Sequence, residues 1–216
     1  MDYKNPEASI STDWLRENLT SPKIAIIDAS FHLPSTNRNA EKEFGQEHIP
    51  GAAFFDINKI ADTSIYMPHM LPKKDQFSKS VGELGISNQT HVICYDTNAG
   101  AMAAMRVWWT FRIFGHKKIS VLNGGLSKWK KENAPLEDGF KKKQNQRYNA
   151  EFNINLVKNF DEILANIETQ DFQLVDARSN GRFRGVEDEP RLDMRKGHIP
   201  SSINIPFTDL FDPVTY

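Results

Sequence analysis

The chain has 216 residues, 27 basic and 28 acidic side chains, and a formal net charge of −1. That balance gives no electrostatic case for nucleic acid or a membrane surface, and no apolar run approaches the ~18 residues that span a bilayer. A single cysteine excludes an intrachain disulfide and any multi-cysteine metal site.

The first residues, MDYKNPEASIST, lack a basic-then-apolar leader, so the expected location is cytoplasmic. Residues 10–18 predict a helix capped by Ser11 or Thr12, with Trp14, Leu15 and Leu19 on its apolar face. Residues 23–28 (KIAIID) are a compact strand ending in an acid. Residues 31–46 are polar and irregular and read as a long surface loop. A turn at 47–56 (EHIPGAAFFD) leads into another short strand, and a second loop, 58–71, holds Tyr66, Pro68 and His69. Residues 76–84 predict a helix stopped by Gly85.

The stretch 91–112, HVICYDTNAGAMAAMRVWWTFR, is the pivot of the chain. Residues 92–95 read as a buried parallel strand, and Asp96 or Asn98 is placed to cap the next helix. From 99 to 114 the pattern is helical, with Met102, Met105, Trp109 and Ile113 recurring at three- and four-residue spacing. Such a strand–loop–helix aims backbone N–H groups at one spot, which suits an anion or a thiolate. Yet this loop holds no Cys, Ser or Lys to act as nucleophile. A strand at 118–122 and a helix from 126 come next, and Asn123-Gly124-Gly125 between them lacks the spacing of a phosphate loop. The alternation predicts an α/β fold with a parallel sheet covered on both faces.

Residues 139–149 (GFKKKQNQRYN) are polar, basic and aperiodic, and read as a solvated linker rather than a phosphate-binding patch. Beyond this segment the chain repeats its own first part. IAIIDAS at 24–30 has a counterpart in QLVDARS at 173–179, and EHIPGAAFFD in GHIPSSINIPF at 197–207. The spacings agree: 176 − 28 is 148 for the aspartates, and 198 − 48 is 150 for the histidines. Residues 156–167 likewise match the first helix. The expected organisation is a first domain over 1–138, a linker over 139–151 and the first part of a second copy over 152–216. That copy reaches Tyr216 before its own version of the strand–loop–helix.

Two strands ending in Asp-Ala, each followed by His-Ile-Pro, resemble the tandem-domain rhodanese superfamily. RVWWTFRIFGHKKISVLNGGLSKW, at 106–129, resembles its amino-terminal domain almost word for word. The resemblance implies a rhodanese-like parallel sheet flanked by helices, one complete domain plus part of a second. It also implies sulfur transfer with no cofactor and no metal. A cysteine thiolate in the second domain's loop takes sulfur from a small carboxylate-bearing donor as a persulfide. It then passes the sulfur to cyanide, a thiol or a thioredoxin-like acceptor. In such enzymes the first domain is silent, with an acid, matched here by Asp96, where the second has cysteine. The nucleophile is therefore expected beyond Tyr216 and the chain is expected to be inactive alone. Two kinds of sulfurtransferase share the architecture, one favouring thiosulfate and one 3-mercaptopyruvate. RFRGVEDEPR at 182–191 and PHMLP at 68–72 are similar to the mercaptopyruvate kind.

By resemblance, Arg182 and Arg191 bind the donor carboxylate through their guanidinium forks. Without it, they read as solvated and paired with Glu187, Asp188 and Glu189. His69 is expected to orient or polarise the donor, with Asn58 standing where the family usually has an acid. Asparagine hydrogen-bonds but holds no charge, which puts a carboxylate–histidine relay in doubt. Cys94 lies within the strand and reads as a buried inert thiol, the alternative being a nucleophile after a register shift. His48 and His198 occur in both copies and read as turn architecture, and Trp108, Trp109 and Trp129 as core aromatics. A non-catalytic rhodanese-like binding or regulatory module is the rival reading. A phosphatase is excluded, because Asp96 to Ala103 has neither its Cys nor its Arg.

Overall fold

The computed structural model describes residues 6–98, 102–190 and 194–212. The chain divides into two compact units, Met1–Leu156 and Val157–Tyr216. In the first, Ser9–Ile10 (β1), Ile24–Asp28 (β2), Ala53–Phe54 (β3), His91–Tyr95 (β4) and Ile119–Leu122 (β5) make one parallel sheet in the order β1-β5-β4-β2-β3. Thr12–Asn18 (α1), Ala40–Gln46 (α2), Lys74–Glu83 (α3), Ala103–Ile113 (α4) and Gly125–Lys131 (α5) alternate with the strands. β4 is central and buried from Val92 to Tyr95, which is why its sequence is an unbroken apolar run. Leu15, Ile26, Ile93, Tyr95, Leu126 and Trp129 close one core cluster. Each large side chain so buried contributes roughly 1.5–3 kcal/mol. The fold is the expected α/β architecture.

Three local expectations are corrected. Residues 31–46 are not all loop, because α2 forms once Asn39 accepts the Lys42 N–H as cap. Its AEKEFGQ sequence hides the helix, since Phe44 alone of the seven is buried. On α4, Ile113 of the expected stripe is buried, but Met102 and Met105 are 48% and 45% exposed. Ala103, Ala104, Val107 and Phe111 face the core as well, the two alanines letting the helix start close to β4. Residues 99–101, expected as helix, lie outside the described residues.

The third correction concerns 139–149, expected to be a solvated linker. The segment runs along the first unit, with Tyr148 and Ala150 buried. Gln146 N–H donates to the Gly82 carbonyl at 3.0 Å and Glu151 N–H to the Phe114 carbonyl at 3.0 Å. Lys143 Nζ donates to the Gly51 carbonyl at 2.6 Å. Gly82 is where the segment comes closest, since a Cβ there would collide with the Gln146 carbonyl oxygen.

The second unit contains Phe160–Thr169 (α6), Val175–Asp176 (β6), Asn180–Phe183 (α7) and Ile203–Asn204 (β7). Asn159 and Glu162 form a reciprocal capping box that starts α6. β6 and β7 pair in parallel, Asp176 opposite Asn204, just as Asp28 lies opposite Phe54 in the first unit. Among the described residues β6 has β7 alone as neighbour, whereas β2 has β3 on one side and β4 on the other. Val175 and Ile203 stay 53% and 44% exposed.

Candidate functional site

β4 delivers Asp96 to the start of α4, at the carboxyl edge of the sheet. One carboxylate oxygen of Asp96 accepts the Asn98 N–H at 2.8 Å; the other accepts Met102 N–H at 3.3 Å and Ala104 N–H at 2.9 Å. The amides that would hold an anion are thus engaged by a side chain of the loop itself. Asp28, at the end of β2, is buried beside Tyr95, and burial raises its carboxyl above the ordinary value. Cys94, two residues before Asp96, is fully buried. Its Sγ–H donates to the Ala104 and Ser120 carbonyls at 3.5 and 3.4 Å. Burial, reinforced by the Asp96 charge, pushes the thiol pKa far up, so no nucleophile forms there.

The loop at 58–71 brings Asn58 and His69 to one cavity of about 340 Å³, which Tyr66 and Met67 also line. His69 has φ +61°, a left-handed conformation uncommon for its residue type. Its ring meets Phe31 edge-on at 4.5 Å, and its carbonyl accepts Arg106 Nη2 at 2.5 Å. Arg106 in turn lies 4.7 Å over the Trp109 ring. Arg106 is thus part of the structure behind His69, a role that sequence reasoning missed. The signal was available: it is a charged residue on a mostly apolar helix, one turn before Thr110.

In the second unit, Arg182 places Nε and Nη2 on one oxygen of Glu189 at 3.1 and 2.5 Å. Arg178 Nη1 takes the other oxygen at 2.8 Å, and the Glu189 side chain is almost inaccessible. The Arg182 guanidinium holds the Glu189 carboxyl below its ordinary value. Arg182 Nη1 makes no hydrogen bond to a described residue and is the free edge of the fork. Arg191 lies outside the described residues. His48 and His198 are turn architecture, as expected. Each donates Nδ1–H to a phenylalanine carbonyl, Phe44 at 2.7 Å and Phe183 at 2.8 Å, and each stacks on that ring. Among the described residues no group of three or more His, Cys, Asp or Glu side chains is placed to hold a metal.

A parallel α/β sheet with a strand–loop–helix at its carboxyl edge, and a strand followed by His-Ile-Pro in each of the two units, defines the class of fold. The rhodanese-like domain model matches residues 11–132 and 159–215, and the chain belongs to that family. Human 3-mercaptopyruvate sulfurtransferase is 43% identical over 207 residues, covering 94% of this chain and 70% of that protein. Mouse thiosulfate sulfurtransferase is 43% identical over 208 residues, with the same two shares. The crystal structure of the 3-mercaptopyruvate sulfotransferase SseA from Escherichia coli superposes with a TM-score of 0.86 at 37% identity, covering 95% of this chain and 77% of that one. These similarities support sulfur transfer and do not favour a non-catalytic module.

Proposed function

We propose that this chain is part of a sulfurtransferase that moves sulfur from 3-mercaptopyruvate, through a cysteine persulfide, to a thiol or thioredoxin-like acceptor in the cytoplasm. Thiosulfate is the second candidate donor, and both kinds of relative are equally similar in sequence. The observation that carries the reading is the state of the two sulfur-relevant positions. Asp96 fills the amide cradle of the first unit, and Cys94 is sealed within its strand. The persulfide-carrying cysteine is therefore not among these 216 residues, and the first unit is silent.

The donor carboxylate takes the open edge of the Arg182 fork, helped by Arg191, while Glu189 keeps that fork oriented. In the first unit, taken by itself, His69 and Asn58 line a cavity that offers polar side chains to a donor. Assayed alone, the chain is expected to release no pyruvate from 3-mercaptopyruvate, and Cys94→Ser is expected to change nothing. Turnover that disappears with Cys94→Ser overturns the assignment. Titration with 3-mercaptopropionate, a stable carboxylate thiol, should perturb the Arg182 side-chain NMR signal. Arg182→Gln should weaken that binding roughly tenfold, the loss of one charge-assisted hydrogen bond.

A further inference from the structure

We propose that the crevice at the carboxyl ends of β2 and β4 in the first unit binds a small amino-acid zwitterion. Its lining includes none of Asn58, His69 and Arg182, so the proposal does not depend on the sulfur-transfer reading. From β2 the chain goes to β3 on one side and returns as β4 on the other. In parallel sheets, ligands favour the crevice where the strand order reverses in this way. Here that crevice is a cavity of about 240 Å³, below the range typical of drug-sized ligands and suited to a few heavy atoms.

Its polar floor is fixed. The buried Asp28 carboxylate accepts the Ser30 N–H at 2.8 Å, and Ser30 Oγ accepts the Thr97 N–H at 3.1 Å. Two carboxylates, Glu43 on α2 and Glu47 just past its end, stand among the lining residues. Each already holds a cation from elsewhere in the unit. Arg38 places Nε and Nη2 on Glu43 at 2.8 and 2.7 Å, and Lys130 from α5 pairs with Glu47.

This arrangement selects by net charge. An added anion would sit near two glutamates with both cations already committed. An added cation would displace Arg38 or Lys130 and leave it uncompensated. A zwitterion replaces both partners of an exchanged pair, its carboxylate taking the lysine and its ammonium the glutamate, so that no charge is left alone. The Lys130–Glu47 pair is the one to exchange, because both side chains are well exposed. Arg38–Glu43 is further tied down by His32, whose Nε2 lies 2.9 Å from Glu43.

The test is residue-resolved NMR of the whole chain titrated with L-alanine, with N-acetyl-L-alanine and L-alanine methyl ester as single-charge controls. Saturable shifts of the Ser30, Thr97 and Ser127 amides are expected with alanine and with neither control. Glu47→Gln and, separately, Lys130→Gln should each weaken alanine binding roughly tenfold while the amides of β1 and β5 stay in place. The absence of a saturable shift overturns the proposal. So does equal binding of either control, which would make this a simple ion site, or alanine affinity unchanged in both variants.

Discussion

At the scale of single residues, Asp96 has the clearest job. Three described amides converge on its carboxylate, and Ala104 N–H has no water to turn to because the residue is buried. Asp96→Ala should destabilise the first unit by roughly 2 kcal/mol, the sum of a lost cap and unsatisfied amides, read from the urea midpoint. Asp96→Asn should cost less, since its amide oxygen still accepts one or two of the bonds. Cys94 presents the opposite case of a reactive atom kept from reacting. Its thiol should be unreactive towards an aromatic disulfide reagent in the native chain and react at once in denaturant. Fast native labelling would contradict the burial seen at β4.

At the scale of elements, β2, β4 and β5 could be read from the sequence because a central parallel strand must be apolar throughout. α2 could not, because a short helix that buries one phenylalanine leaves no periodic trace. The stripe of α4 was legible at Ile113 and misread at its methionines for a related physical reason. Methionines carry the hydrophobic signal, but alanines supply the close approach to the sheet. The candidate site was legible where one residue type implies one chemistry, as with Asp96 capping a helix or the arginine fork at 182. It was not legible where partners had to be chosen among neighbours. Glu187, Asp188 and Glu189 look alike in sequence, and the backbone after α7 turns the third inward to both Arg178 and Arg182. That pairing has a pH signature. Arg182 holds the Glu189 carboxyl, and Arg178 the Asp176 carboxyl, below their unfolded values of 4.5 and 3.8. Depressed carboxyls contribute their stability in full above those values and lose it as pH falls through the folded ones. The second unit should therefore loosen on acidification below about pH 4.5. A carbon-detected titration placing Glu189 at or above the ordinary glutamate value would contradict this.

At the scale of the molecule the two units differ in how much they bury. The first wraps a five-stranded sheet in helices, while the second has a two-stranded pair with Val175 and Ile203 half exposed. A pair of short strands is marginal without a third or a well-packed face. Amides of β6 and β7 should exchange with solvent deuterium far faster than those of β4 and β5. Equal protection would mean that the second unit has a stability its described contacts do not supply.

The course of residues 139–156 sets where the protein can be divided. Tyr148 sits edge-on to Phe77 and Phe111, and Phe152 leans on Phe114, so this stretch is a hem sewn onto the first unit. A protein cut after residue 138 should strip that hem, bare a ring of phenylalanines and collect as aggregate. One cut after 156 should stay in solution as a monomer. Seam placement, rather than the visible change in composition at residue 139, is what a crystallographer or engineer isolating the front half has to respect.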